Sequence, residues 1–194
     1  MINQLKSMLV KYFAEKTSLS DDEKSEIASA FEEGEIYKNN YWVKQNEICS
    51  EIAFICEGII RVFHETEEKE ITLQFLFPNN FMASLSSLTY NIPSLWNFKA
   101  LTDCKILLID NKKHQELINK YPDILNFHKN PFMLSFADLE SRLLSLLSLS
   151  AEQRFRKLFS EYPEIFNQVP LKHIASSLGI TPETLSRLRK NINQ

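Results

Sequence analysis

The sequence predicts an α+β protein, in which a β-rich unit with flanking helices is followed by a long helix and a terminal helix pair. Residues 34–110 are rich in β-branched and aromatic side chains, and the later residues have apolar side chains at helical spacing. The 194 residues, 44% hydrophobic, suffice for one full core and a small second unit. We expect a β-rich domain at 1–130, a dimerisation helix at 131–149 and a terminal domain at 150–194.

The first 31 residues have the spacing of two helices. Ser20 is followed by three acidic residues, which predicts a helix that begins with a capping hydroxyl and acids in its first turn. The apolar positions that recur at helical spacing are Leu5, Met8, Leu9, Tyr12, Phe13, Ile27, Ala30 and Phe31.

Several short strands follow, and together they predict a small antiparallel barrel or a jelly roll. The charged residues 65–69 predict a hairpin turn. In the strand after it, alternation from Ile71 to Phe77 predicts that one face is buried. The expected strands are Glu35–Tyr37, Tyr41–Val43, Ile52–His64, Glu70–Phe77, Trp96–Leu101 and Lys105–Ile109.

After Asp110 the chain is predicted to be helical, and the side chain of Asp110 or Asn111 can cap a helix that runs to about Lys120. A 4-3-4-3 apolar spacing indicates an a/d seam over two heptads, which suits a helix that pairs with its copy in a homodimer. The predicted interface residues are Phe132, Phe136, Leu139, Leu143 and Leu146. Ser150 and Gln153 then form a capping-box pattern for a further helix.

The segment PLKHIASSLGITPETLSRLRK, residues 170–190, has the pattern of a helix-turn-helix. Gly179 stands where the tight turn needs a left-handed residue. Thr181 can cap the second helix, and Pro182 suits its first position. Apolar residues before and after the turn would hold the two helices together. An ordinary αα-hairpin packed on the body is the alternative interpretation.

Charge favours binding of double-stranded DNA by this segment. Residues 169–194 contain four basic side chains and one glutamate, a net charge of +3, whereas the whole chain has −3. A solvated basic helix end would give the same imbalance. Arg187 could read guanine and Glu183 could accept from cytosine. The predicted DNA-binding residues are Lys172, His173, Thr181, Glu183, Thr184, Ser186, Arg187, Arg189 and Lys190.

Over essentially its whole length the sequence resembles the Crp/Fnr family of bacterial transcription regulators. The resemblance implies a double-stranded β-helix, a dimerisation helix and a helix-turn-helix. The family's recognition pattern R-E-T-V-x-R is matched by Glu183, Thr184, Leu185 and Arg187, with Pro182 in place of its first arginine. The family's β-hairpin wing would be absent or minimal here, because the sequence ends at Gln194.

Cyclic-nucleotide-binding members of that family carry a Gly-Glu-Leu and a later Arg-Ser/Thr-Ala. Ala83 and Ser84 occupy the first pair of positions, and Ser94 and Leu95 replace the arginine segment. A buried phosphate would have no cation, so we expect no binding of cyclic AMP in the usual manner. A more apolar effector could bind near Phe81, Ser84, Leu85, Trp96 and Phe98, or these side chains could simply fill the core.

Other functions are disfavoured. The three cysteines have no metal-ligand spacing and are too few for a four-thiolate cluster, so no metal or cofactor is predicted. No nucleophile–histidine arrangement indicates an enzyme, and no apolar run indicates a membrane span. The expected protein is a cytoplasmic homodimeric regulator that binds a roughly palindromic DNA site, with RNA polymerase as a possible partner. The alternative is a small-molecule or cyclic-nucleotide sensor that acts through protein contacts.

Overall fold

A computed structural model describes residues 4–124 and 140–192 of the chain. Its labelled helices are α1 Gln4–Lys16, α2 Asp21–Ser29, α3 Leu85–Tyr90, α4 Asn111–Lys120, α5 Ala151–Glu161, α6 Ile165–Gln168, α7 Leu171–Leu178 and α8 Pro182–Ile192. Its strands are β1 Glu32–Ile36, β2 Tyr41–Val43, β3 Glu51–Glu57, β4 Ile60–Glu65, β5 Glu70–Leu76, β6 Phe81–Met82, β7 Asn97–Ala100 and β8 Cys104–Asp110. Residues 140–148 are also helical and are called the linking helix here.

The strands form two four-stranded antiparallel sheets, with the orders β1-β8-β3-β6 and β2-β7-β4-β5. The non-consecutive neighbours in both sheets are those of a jelly roll. The predicted α+β class, with a β-roll, flanking helices and a helical C-terminal region, is confirmed. The two sheets are called the roll below.

The layers of the protein explain the apolar strands of the roll. In β3, Phe54 faces a core shared with α1 and α2, whereas the neighbouring Ile55 faces the core between the sheets. Because both faces of β3 are covered, its sequence is almost continuously apolar. A third core, which includes Ile59 and Phe155, lies between the second sheet and the C-terminal helices. The order is therefore helices, sheet, sheet, helices.

Two predictions for the strands were wrong. The expected strand Ile52–His64 is two strands, β3 and β4, separated at Gly58. That glycine has φ +95°, and a Cβ there would lie 2.5 Å from the carbonyl oxygen of Asp103. The alternation in β5 also fails, since Thr72 is fully buried while Ile71 is 41% exposed. A bulge opposite Val62 shifts the register, and the C-terminal helices cover the other face of the strand.

The predicted helix caps are confirmed. The Ser20 side chain accepts from the backbone N–H of Glu23, whose carboxylate accepts from the Ser20 N–H. The same reciprocal pair joins Ser150 and Gln153 at the start of α5. Asp110 accepts from the Lys112 N–H at the start of α4. Each cap satisfies backbone groups that the helix itself leaves free, which fixes where the helix begins.

Within residues 4–124 and 140–192, no helix is both long enough and apolar enough to span a bilayer.

Candidate nucleic-acid interface

The helix-turn-helix consists of α7, a tight turn and α8. Gly179 ends α7 with φ +66° and ψ 34°, the left-handed conformation that its place in the sequence predicted. Thr181 Oγ1 then accepts from the backbone N–H of Thr184 at 3.3 Å and caps α8. The turn therefore brings the two helices together as the sequence suggested, with Pro182 in the first turn of α8.

The inner faces of α7 and α8 lie in one apolar core. Ala175 and Leu185 are fully buried there, and Phe155 of α5 is buried against them. Arg154 of α5 donates to the carbonyl oxygens of Leu178 and Leu149, at 2.9 and 2.6 Å. These contacts hold α8 on the body of the protein from its inner side and leave its outer side uncovered.

The uncovered side of α8 is polar and carries four of the nine predicted contact residues. Glu183, Ser186, Arg187 and Lys190 are exposed and, together with Pro182, line one shallow groove. The pKa of Glu183 is lowered by a hydrogen bond from its own backbone N–H and by one from Thr181. Its carboxylate is therefore ionised at the positive end of the helix. One acid and two cations on a single exposed face can meet base edges and phosphates.

The other predicted contact residues are not on this groove. Thr184 lies beside Thr181, with the two Oγ1 atoms 3.2 Å apart. Arg189 turns back toward the body, with its guanidinium 5.8 Å from the centre of the Phe166 ring. Lys172 is exposed at the start of α7. Thr181, which is itself exposed, serves as the cap of α8.

His173, another predicted phosphate contact, is half-buried between α7 and the roll. Burial and the nearby Arg61 charge lower the pKa of His173 to about 4. The imidazole is therefore neutral at pH 7 and cannot act as a cation toward phosphate. The predicted contact of His173 with phosphate would therefore have to be a hydrogen bond from the neutral ring.

Sequence reasoning missed a polar cluster between the roll and α7. Arg61 of β4 is 2% exposed; its Nε donates to Thr72 Oγ1 at 2.9 Å, and its Nη1 is paired with Glu70. The guanidinium lies 4.1 Å from the centre of the Phe63 ring. The signal in the sequence was a cation flanked by the apolar Ile60 and Val62, in a strand opposite one that begins with glutamate. We call Arg61, Glu70 and Thr72 the arginine cluster.

Glu70 and Arg61 affect each other's ionisation. Burial raises the pKa of the Glu70 carboxyl, but the hydrogen bond and charge of Arg61 outweigh this and the pKa is lowered. Burial lowers the pKa of Arg61, opposed by its pairing with Glu70. Arginine remains protonated in proteins, so the cluster holds a buried ion pair at pH 7.

The segment that corresponds to a cyclic-nucleotide site is held together by serines. Ser87 Oγ donates to Ile92 O at 2.7 Å and lies 3.2 Å from Ser84 Oγ. Ser94 is fully buried and bonds to the backbone of Trp96. Lys99, the nearby cation, lies over the Tyr41 ring at 4.8 Å, whereas the adjacent Phe98 faces the core between the sheets. Lys99 is therefore on the opposite side of its strand from that core.

The five residues suggested for an effector pocket do not converge on one cavity. Phe81 packs on Tyr12 and Phe54 on the outer side of the first sheet, because strand pleating turns its neighbour Met82 inward. Phe98 belongs to the core between the sheets, with Trp96 partly buried against it. Ser84 is buried and Leu85 is 47% exposed. These side chains thus occupy two cores and a surface, as the core-filling alternative allowed.

A larger cleft lies elsewhere, between β5, the linking helix and α5. Its volume is about 1170 Å³, and its lining includes Phe75, Phe77, Arg142, Lys157 and Tyr162. Phe81 is the one residue of the suggested pocket that borders it. Arg142 and Lys157 already bond to protein groups, so both of these cations in the cleft are engaged.

The predicted dimer seam can be followed only in part. Phe132, Phe136 and Leu139 lie outside the described residues. Leu143 is 57% exposed, whereas Leu146 borders the cleft, and its Cδ2 would be 3.3 Å from a Cβ at Gly179. All four leucines of the linking helix are exposed in part: Leu143 57%, Leu144 63%, Leu146 40% and Leu147 77%. Helical spacing places both Leu146 and Leu147 one turn after Leu143, so the predicted seam residues Leu143 and Leu146 stay a prediction and Leu147 is a further exposed leucine beside them.

The cysteines are buried thiols. Cys49, Cys56 and Cys104 are free and buried, and burial raises the pKa of Cys56 to about 11. A protonated thiol is a poor metal ligand and nucleophile. No group of three potential ligands is close enough to hold a metal ion within the described ranges.

Solved structures of bacterial regulators have folds similar to that of this chain. The chain is similar to the c-di-GMP responsive regulator CLP of Xanthomonas campestris, with 13% identity, a TM-score of 0.72 and coverage of 90% of this chain and 92% of the other. It is also similar to a Crp/Fnr family transcriptional regulator from Eubacterium rectale, with 18% identity, a TM-score of 0.73 and coverage of 94% of this chain and 88% of the other. A third similar structure is FixK2 of Bradyrhizobium japonicum, with 14% identity, a TM-score of 0.74 and coverage of 84% of both chains. Comparison with curated protein sequences finds no match.

Residues 16–121, more than half of the chain, match the cyclic nucleotide-binding domain family. The matched residues span both sheets and end at Tyr121, just after α4. The helix-turn-helix follows them, in the order seen in Crp/Fnr regulators. The chain therefore belongs to the cyclic nucleotide-binding domain family and has the fold of a Crp/Fnr transcription regulator.

Proposed function

We propose that this protein is a sequence-specific transcription regulator that binds double-stranded DNA as a homodimer. The observation that carries the proposal is the exposed face of α8, where Glu183, Ser186, Arg187 and Lys190 lie together while Leu185 is buried behind them. A recognition helix needs such a two-sided arrangement to enter the major groove without losing its packing on the body.

The homodimer is supported by the linking helix. Leu143, Leu144 and Leu147 are 57%, 63% and 77% exposed, and leucines on adjacent turns of one helix are suited to pairing with a second copy. Two copies related by a twofold axis would present two recognition helices to a palindromic site, with half-sites about one helical turn apart. RNA polymerase is the expected partner of a regulator bound there.

We further propose that cyclic AMP does not control this binding through the usual contacts. The segment from Ser84 to Trp96 contains no charged residue. Its buried serines already bond to one another and to the backbone. A cyclic phosphate placed there would be desolvated without a counterion, which costs several kcal/mol.

Unbiased selection of duplexes from a random library by the full chain tests the proposal. We expect a palindromic sequence to be enriched and its affinity to fall steeply with salt, by about 10³-fold or more between 50 and 200 mM if six or more phosphates are contacted. Cyclic AMP should leave the dissociation constant of the selected duplex unchanged.

Matched cation variants sharpen this measurement. Lys190→Ala should reduce the slope of log affinity against log salt by about one. Arg156→Ala removes an exposed cation of α5 that is paired with Glu152, and should leave the slope unchanged. Enrichment of no sequence, with a flat salt dependence, would contradict DNA binding and favour a sensor that acts through protein contacts.

A further inference from the structure

The outer edge of β5 is closed by side chains from two other parts of the chain. β5 is the last strand of its sheet and pairs on one side only, with β4. The carbonyl of Glu70 and both backbone polar groups of Thr72 have partners outside the sheet. Unpaired groups at a sheet edge need partners or water, and Thr72 is fully buried.

Ser176 of α7 takes the place of a neighbouring strand. Its Oγ accepts from the Thr72 N–H at 2.9 Å and donates to Glu70 O at 2.8 Å. One hydroxyl therefore uses both its donor and its acceptor capacity on β5. A serine side chain has a single rotatable bond before the hydroxyl, so this pair of bonds fixes the position of α7 along the strand closely.

Arg142 of the linking helix holds the next group on the same edge. Its Nη2 donates to Thr72 O at 2.8 Å and to Ser177 O at 2.6 Å. Burial lowers the pKa of Arg142, but the guanidinium remains a cation. One nitrogen atom thus connects the roll, the linking helix and the helix-turn-helix. Ser176 and Arg142 together are called the edge latch.

The arginine cluster supports the edge latch from the face of the second sheet that α7 covers. Arg61 holds the side chains of Glu70 and Thr72, while the backbones of the same two residues hold Ser176 and Arg142. The strand segment on which α7 docks is therefore held through both its side chains and its backbone.

We propose that Ser176 and Arg142 are positioning residues that set the angle between the recognition helix and the linking helix, and thereby the half-site spacing that a dimer accepts. This inference rests on the proposed function. Neither residue lies on the exposed groove of α8. They act through the placement of α7, to which α8 is joined by the Gly179 turn and a shared core.

Spacing is the property that such placement controls. In a dimer, each recognition helix reaches its groove through its own linking helix, so a change of angle at each latch alters the separation of the two helices. One added base pair moves a half-site by about 3.4 Å and rotates it by roughly a tenth of a turn. With a rigid edge latch, binding to a site of altered spacing is weakened. With a loose one, the recognition helices can move with the half-sites and less affinity is lost.

The test uses the full chain and the palindrome that it selects, with spacers shortened or lengthened by one and two base pairs. We expect wild type to lose about tenfold in affinity for one added base pair, and Ser176→Ala and Arg142→Met to lose about threefold or less. Ser176→Thr and Arg142→Lys keep the donors, so they should restore most of the wild-type loss of affinity for one added base pair, which is called the spacing penalty below. Affinity for a single half-site should stay within about twofold of wild type in every variant.

Matched controls separate positioning from general loosening. Ser177→Ala removes a hydroxyl that bonds only within α7, to Ile174 O. Arg156→Met removes an arginine paired with Glu152 on the surface of α5. Both should keep the wild-type spacing penalty.

Folded Ser176→Ala and Arg142→Met variants with an unchanged spacing penalty would overturn the inference. A wild type that selects a half-site without any preferred spacing would overturn it too, while leaving DNA binding intact. Selection of no sequence by wild type would refute the proposed function, and the positioning role with it.

Discussion

The substitution Glu70→Gln isolates the buried charge of the arginine cluster. It removes the negative partner of Arg61 but keeps the size of the side chain and one acceptor oxygen. The guanidinium, 2% exposed, then stays in the interface between the roll and α7 without a counterion. Its Nη2 already has no hydrogen-bond partner among the described residues, so few hydrogen bonds remain to offset the loss of the negative charge.

The expected loss in the free energy of unfolding follows from the exposed fractions of the Arg61 and Glu70 side chains. Removing one partner of a fully buried pair costs about 3–5 kcal/mol. The Glu70 side chain is 42% exposed, so its charge is partly screened, and glutamine can still accept a hydrogen bond. We therefore expect a loss of about 2 kcal/mol. Arg61→Met should cost about 1 kcal/mol, because it loses the bond to Thr72 but leaves Glu70 within reach of water.

The double variant gives the decisive comparison. With Arg61→Met present, Glu70→Gln should cost almost nothing, so the double variant is more stable than Glu70→Gln alone by about 1 kcal/mol. Urea unfolding at pH 7, followed by circular dichroism, measures the four free energies. A Glu70→Gln variant as stable as wild type, or costs that simply add in the double variant, would refute the argument from an uncompensated buried charge.

Three other predictions concern DNA contact, pairing and pH. Arg187→Ala should weaken binding to the selected palindrome by about 1–3 kcal/mol in fluorescence anisotropy, and an equal loss on random duplexes would reassign Arg187 to the backbone. Replacing Leu143 and Leu147 by glutamate should give monomers in light scattering, because charges would then face each other across the seam; a mutant that stays dimeric contradicts the interface. His173 has a pKa of about 4 in the folded protein, against an ordinary value of 6.5. Between these values the unfolded chain binds the extra proton, so stability should fall as the pH drops from 6.5 toward 4. His173→Gln should lessen that fall in urea midpoints compared at pH 7 and 4.5, and an unchanged fall would show that other groups cause it.

The helix-turn-helix was predictable because its determinants are local. The turn depends on one glycine, Gly179, and on a capping threonine, Thr181, and both act within a few residues of the chain. Burial of Leu185 follows from spacing alone. Strand positions were predictable for a similar reason, apart from the break at Gly58, where an apolar run continues on both sides.

The contacts between the roll and α7 could not be predicted in the same way. Ser176 and Thr72 are 104 residues apart in sequence, and their bond depends on how two separate units dock. Arg142 falls within a leucine-rich helix, where an arginine ordinarily faces water. The placement of Phe81 could not be predicted either, because strand pleating at Phe81 and Met82 decides which core each side chain enters, and a two-residue strand hardly reveals its pleating in sequence.

The closed edge of β5 also predicts how a shortened fragment of this protein would behave. Its second sheet keeps Phe75 and Phe77 against the C-terminal helices, and it relies on Ser176 and Arg142 for its outermost hydrogen bonds. A fragment that ends before the linking helix would have a bare strand edge beside an uncovered aromatic surface, the combination that promotes strand-to-strand association between molecules. We therefore expect the C-terminal unit to suppress such association in the full chain.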